Sequence, residues 1–207
     1  MEVFRKLGEG MRNNVEIKGL IIQETKKRIR KNPKLTIKEI ADACFVNIAA
    51  VNYHFGRKDN LMAIVVKEIL DELKENICAS LETFTDDYEG NIEKIVNILM
   101  RFTLENSGVV KYLFLHNDSL EGYSNLLMDV FFTGNSFTER IINEIKKTCK
   151  CECGVVSKAK YLLLFSCFSI PLFLQVAEKY EDKPFFPSFQ DSEFLQTYIK
   201  EMLRIIR

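Results

Sequence analysis

Residues 36–61 read TIKEIADACFVNIAAVNYHFGRKDNL, and the parsing of this stretch decides the fold. Thr36 and Glu39 have the S/T-x-x-E spacing of a capping box, so a helix is expected to begin at Thr36. Ile37, Ile40, Ala41 and Cys44 then recur at helical period and define one apolar face. Phe45 to Asn47 interrupts the period, and Asn47 is a good N-cap for a second helix. In that helix Ile48, Val51 and Phe55 are expected to share the buried face, while Ala49, Ala50, Asn52 and Tyr53 look outward. Gly56 can close it, and a further helix is expected from Lys58.

Two short helices joined by a tight turn form the helix-turn-helix unit, whose second helix enters the major groove of DNA. The outward side chains suit that task. Asn can bond adenine N6 and N7 together, and small apolar groups can meet a thymine methyl. Asn47 to Tyr53, including Ile48, would read bases. Thr36, Lys38, His54 and Lys58 would hold phosphates. Spacing alone also allows a plain pair of core helices.

The same stretch resembles the TetR family of bacterial transcriptional regulators. The family pattern runs roughly I-A-x-x-A-G-V-S-x-x-x-[LI]-Y-x-H-F-x-x-K-x-x-L, and Ile40, Ala41, Val46, Val51, His54, Phe55, Lys58 and Leu61 stand in register with it. The likeness covers the first third of the chain. The chain departs from the pattern at four positions. Phe45 replaces the turn Gly, Cys44 the preceding Ala, Asn47 the usual Ser, and Asn52 the usual Tyr, with Tyr53 one residue later. A Gly in that turn commonly takes a positive φ that Phe resists, so an altered turn geometry and a different base preference are expected.

The 207 residues hold enough apolar material, 47%, for a real core. Net charge is zero but uneven. Residues 1–60 carry 13 Lys and Arg against 7 Asp and Glu, and the remainder 16 against 22. A basic first third on an acidic remainder fits a DNA-binding head on a body, although a solvated charged face would look the same. No run of about eighteen uncharged apolar residues suggests a membrane span. The first ten residues lack the apolar core of a secretory signal. A cytoplasmic protein with mostly reduced Cys is therefore expected.

The expected class is all-α. Residues 1–60 would form a three-helix helix-turn-helix head, and 61–207 a larger helical body for ligand binding and dimerisation. Met1 to Asn14 reads as a loose arm. A helix from about Asn14 to Lys31 buries Ile17, Leu20, Ile21 and Ile29, with Lys26, Lys27, Arg28, Arg30 and Lys31 crowding its end. From Lys58 the series Leu61, Val65, Ile69, Leu73, Ile77 and Leu81 predicts one amphipathic helix to about Phe84, the link from head to body. A turn at Asp86–Gly90 follows. Further helices are expected over 91–106, 109–116, 124–132, 136–150, 157–180 (with Pro171 as a candidate kink) and 191–207.

The family resemblance implies a ligand cavity in the body. Phe102, Tyr112, His116, Phe131 and Phe168 are candidates to line it, with Tyr112 and His116 as polar handles, although core filling is the default role of each. Leu162 to Leu174 is apolar nearly all round. Phe194, Leu195, Tyr198, Ile199, Met202, Leu203 and Ile206 make a broad stripe on the last helix. Two such helices per protomer suggest a homodimer through a four-helix bundle, as the resemblance also implies, while a buried central helix is the alternative.

The resulting expectation is a ligand-controlled repressor, with a double-stranded DNA operator, a small-molecule effector and a second copy of the chain as partners, and with no cofactor, metal or membrane. Two alternatives stand. One is a helical ligand-binding protein or enzyme without a DNA role, for which no phosphate loop, nucleophile elbow or His-Glu metal helix is found and only His54 and His116 are available. The other is a thiol- or metal-responsive regulator using Cys149, Cys151 and Cys153, whose alternation is not the spacing of common zinc sites.

Overall fold

The computed structural model describes residues 2–83, 86–115, 128–150, 152–177 and 187–206. Among these there is no strand. The helices are α1 (Glu2–Ile29), α2 (Ile37–Ala43), α3 (Ile48–Phe55), α4 (Lys58–Glu82), α5 (Tyr88–Glu105), α6 (Ser107–Leu115), a π-helical turn (Met128–Phe132), α7 (Ser136–Thr148), α8 (Gly154–Ala177) and α9 (Ser192–Ile206).

The start of the chain differs from expectation. Residues expected as a loose arm up to Asn14 are helical from Glu2, continuous with α1. No proline interrupts them, so the helix extends outward from its anchored half without a break. Ile21 and Ile29 are buried as expected, but Leu20 is exposed. The period of α1 brings Ile21, Thr25 and Ile29 to the inner face, and Leu20 sits just outside that stripe.

In α4 the four-residue series is borne out, with Leu61, Val65, Ile69, Leu73, Ile77 and Leu81 all buried. Met62, Val66 and Leu70 are buried as well. Its buried surface is thus wider than one stripe, because α4 packs on α1, α3 and α5. The expected turn at Asp86–Gly90 is shorter. Asp87 caps α5 by accepting the Gly90 N–H at 3.0 Å, and the helix is under way at Tyr88. In the body, α7 packs on α5 and α8, and α9 packs on α8 and α5. The expected helix over 124–132 is described only from Met128. The loop expected over 117–123 lies outside the described residues, as do residues 178–180 of the helix expected over 157–180 and residues 181–186 of the loop expected over 181–190. α8 begins three residues earlier than its predicted start and runs through Pro171.

Head and body are tied in two places. The Lys26 ammonium of α1 is buried between Glu72 at 2.5 Å and Glu68 at 3.2 Å on α4, and Arg30 adds a contact to Glu72 at 3.3 Å. Burial alone would lower the Lys26 pKa, but the hydrogen bonds and charges of Glu72 and Glu68 outweigh it and hold the pKa above its ordinary value. At the second tie, Gly108 at the start of α6 donates its N–H to the Arg30 carbonyl at 2.8 Å, just past the end of α1. A Cβ on Gly108 would sit 2.1 Å from the Ile29 carbonyl oxygen, so only glycine allows this approach.

Candidate nucleic-acid interface

The tip of the head is built by hydrogen bonds that the local sequence supplies. Thr36 Oγ1 accepts the Glu39 N–H at 3.2 Å, and Glu39 Oε2 accepts the Thr36 N–H at 2.7 Å, closing the capping box that starts α2. The Thr36 backbone N–H, then its hydroxyl, hold the Glu39 carboxyl below its ordinary pKa. Ile40, Ala41 and Cys44 are buried and Ile37 is half-buried. The Cys44 thiol points at the Leu20 carbonyl of α1, with Sγ 4.0 Å from the oxygen, which accounts for a small polarisable side chain there.

The turn out of α2 is a Schellman motif. Val46 N–H reaches back to the Ala41 carbonyl at 3.0 Å, and Phe45 N–H to the Asp42 carbonyl at 3.3 Å. This geometry requires a left-handed residue at position 45, and Phe45 adopts it with φ +55°. The backbone of the turn therefore takes a positive φ with Phe in place of glycine, and the ring is thrown outward, 97% exposed. This exposure was not legible in the sequence, where Phe45 registered only as a break in period.

Asn47 then caps α3, its Oδ1 accepting the Ala50 N–H at 2.7 Å. That carboxamide oxygen is committed to the cap, which restricts how Asn47 can meet a base. Val51 and Phe55 are buried. Ile48 is not, contrary to the face assigned to it, being 45% exposed at the first position of the helix. The core beneath α3 is reached from Val51 onward, and the first turn projects past it. Ala49 and Asn52 are exposed, Tyr53 is 77% exposed, and Ala50 is only half-buried rather than fully outward. Tyr53 and His54 meet edge to face with centroids 5.3 Å apart, and Lys18 of α1 lies 5.9 Å from the Phe55 ring centre. Gly56, with φ +72°, closes α3 by donating to the Asn52 carbonyl at 2.8 Å, and Asn60 donates to the Phe55 carbonyl at 3.0 Å. Thr36 and Lys38 are exposed near the start of α2, while His54 near the end of α3 and Lys58 at the start of α4 are half-buried.

This arrangement is shared with known structures. Over 93% of this chain and 97% of the other, it superposes on a TetR transcription regulator from Haloarcula marismortui with a TM-score of 0.63 at 18% identity. A tetR-family transcriptional regulator from Streptomyces coelicolor matches over 92% of this chain and 77% of its own, with a TM-score of 0.61 at 14% identity. The chain has the TetR-regulator fold. A third match, RolR in complex with resorcinol, covers 94% of this chain and 89% of its own with a TM-score of 0.55 at 12% identity. No family model matches the sequence, and no curated protein does.

In the body of this TetR-like chain, the candidate ligand residues that are described differ in burial. Tyr112, Phe131 and Phe168 are buried in the core. Phe131 and Phe168 are linked through Phe165, at centroid distances of 5.2 and 6.2 Å, and the Phe131 carbonyl accepts the Tyr161 hydroxyl. Phe102, half-buried, borders an open recess of about 360 Å³ at the junction of α1, α4 and α5, with Arg30, Glu72, Arg101 and Asn106. His116 lies outside the described residues.

The thiols are dispersed in character. Cys149 is half-buried, with Sγ 3.7 Å from the Lys146 carbonyl oxygen. Cys151 lies outside the described residues. Cys153 is exposed, and the N–H groups of Val156 and then Val155 at the start of α8 lower its thiol pKa. Among the described residues no group of His, Cys, Asp and Glu is arranged to hold a metal ion, and no helix is long and apolar enough to cross a membrane.

Proposed function

We propose that this protein is a DNA-binding transcriptional regulator that acts as a homodimer and is released from a palindromic operator by a small molecule. The observation that carries the reading is the composition of the solvent face of α3. Ile48, Ala49, Asn52 and Tyr53 project from a helix that is capped at both ends and held on a basic head. A core helix pair would bury these groups. The TetR fold supports the reading, since a recognition helix so placed can enter the major groove.

In this reading Asn47, Ile48, Ala49, Ala50, Asn52 and Tyr53 face bases, and Thr36, Lys38, His54 and Lys58 face phosphates. A dimer would set two such helices about 34–36 Å apart, one turn of duplex. Its interface would be α8 and α9, which leave Leu162, Leu163 and Ile205 in water in the single chain. The effector would bind within the aromatic body, among Phe102, Tyr112, His116, Phe131 and Phe168. RolR, with resorcinol bound in the same fold, supports a small molecule in this role. The effector would act through the α6–α1 and α4–α1 ties, by binding one head spacing more tightly than the other.

The test is selection of bound duplexes from a random pool by purified protein, with affinity then measured across salt concentrations. A palindromic consensus and an affinity that falls steeply with salt are expected. Binding that stays flat between low and physiological salt, or no enrichment, would sink the DNA role.

A further inference from the structure

Phe45 is costly where it stands. A left-handed conformation costs a residue with a Cβ about 1–2 kcal/mol relative to glycine. The usual compensation for a large apolar side chain is burial, and this ring has none, being 97% exposed. Glycine or asparagine at this position would make the same pair of backbone hydrogen bonds more cheaply. Lys150 ends α7 with a comparable φ of +49°, but an ammonium is well hydrated there and a phenyl ring is not. Strain without local return is found where a residue works on something outside the fold. The surroundings say what that is. Phe45 stands two residues before the N-cap of the recognition helix, and Ile48 and Tyr53, also exposed and apolar, lie on that helix. The first residues of such a helix approach base edges, and apolar side chains there meet the C5-methyl of thymine.

We propose that Phe45 is a DNA-contacting residue: its ring packs against thymine methyl groups beside the recognition helix, and the strained turn is retained for that contact. The inference rests on the regulator reading and adds a readout residue to it.

The probe is the duplex most enriched by the wild-type protein from a random pool. Phe45→Gly and Phe45→Asn should each raise the melting temperature, by about 2–4 °C. Each should weaken binding to the probe by about tenfold, as loss of one base contact does. The slope of affinity against salt should not change, because no phosphate contact is lost. Phe45→Leu, which keeps an apolar group, should retain most of the affinity. Uracil in place of thymine should weaken the wild type and leave Phe45→Gly nearly unaffected at the contacted position. Wild-type affinity in both Phe45→Gly and Phe45→Asn would overturn the proposal while the regulator reading stands. A reduced salt slope would overturn it too, since the turn would then be acting through phosphate contacts. So would an equal uracil effect in wild type and Phe45→Gly. If the wild-type protein enriches no duplex, both readings fall together.

Discussion

Two side chains show how a single residue's surroundings set its chemistry. Glu39 is fully exposed, yet its carboxyl pKa is lowered because the Thr36 backbone N–H, then the Thr36 hydroxyl, bind its charged form. A lowered carboxyl pKa contributes stability that is present above the ordinary carboxylate range and is lost as pH falls through the folded value. Glu39→Gln is therefore expected to lower the melting temperature at neutral pH and change it little in acid, which flattens the acid side of the thermal-stability profile. Melting temperatures across an acid-to-neutral series check this. Cys153 is the parallel case among thiols. The backbone N–H groups of Val156 and Val155 favour its thiolate, whereas burial pushes the Cys44 and Cys167 thiols up. Brief treatment with iodoacetamide at neutral pH should label Cys153 well before Cys44 and Cys167, as read by peptide mass spectrometry. Equal labelling would mean that the start of α8 does not hold the geometry described.

Elements meet here at few and specific points. The start of α6 is seated on the end of α1 by one backbone hydrogen bond, from Gly108 to Arg30. Because an added Cβ would meet the Ile29 carbonyl oxygen, Gly108→Ala should force α6 and α1 apart. The cost expected for overpacking of this kind is about 1–3 kcal/mol, measurable by urea unfolding. In the regulator reading the same substitution should also weaken the response to effector more than it weakens DNA binding. The helical elements were largely legible beforehand. Thr36 and Glu39 announce the start of α2, Asn47 that of α3, and the four-residue series from Leu61 the length of α4. Those signals are local, and the structure uses each of them. Failures came where tertiary contact decides, as for Leu20 and Ile48, which share a period with buried neighbours but lie beyond the reach of the packed partner.

At the scale of the molecule, exposed apolar groups among the described residues occur on α8 and α9 as well as at the tip of the head, on α1 (Val15, Leu20) and in the π-helical turn (Met128, Phe132). α8 leaves Val155, Leu162 and Leu163 in water, Leu162 being 56% exposed, and α9 leaves Ile205. Side chains of this kind on adjacent helices are what a two-fold interface would cover. Leu162→Glu with Leu163→Glu should halve the mass seen by light scattering and leave helicity unchanged. An unchanged mass would place the dimer contact elsewhere or remove it. The monomeric variant should also lose the steep preference for palindromic over half-site DNA, because two linked heads raise the effective concentration of the second.

The class of this protein followed from sequence alone. Caps, breaks and four-residue periods are written in neighbouring residues, and they were enough to reach an all-α chain with a helix-turn-helix head. Tertiary structure decided the rest. It chose which apolar residues are covered, turned Phe45 outward on a left-handed backbone, left Phe102 half-buried beside an open recess, and placed Gly108 against Arg30. The reason is that burial depends on residues distant in the chain, and no local pattern reports what will stand opposite.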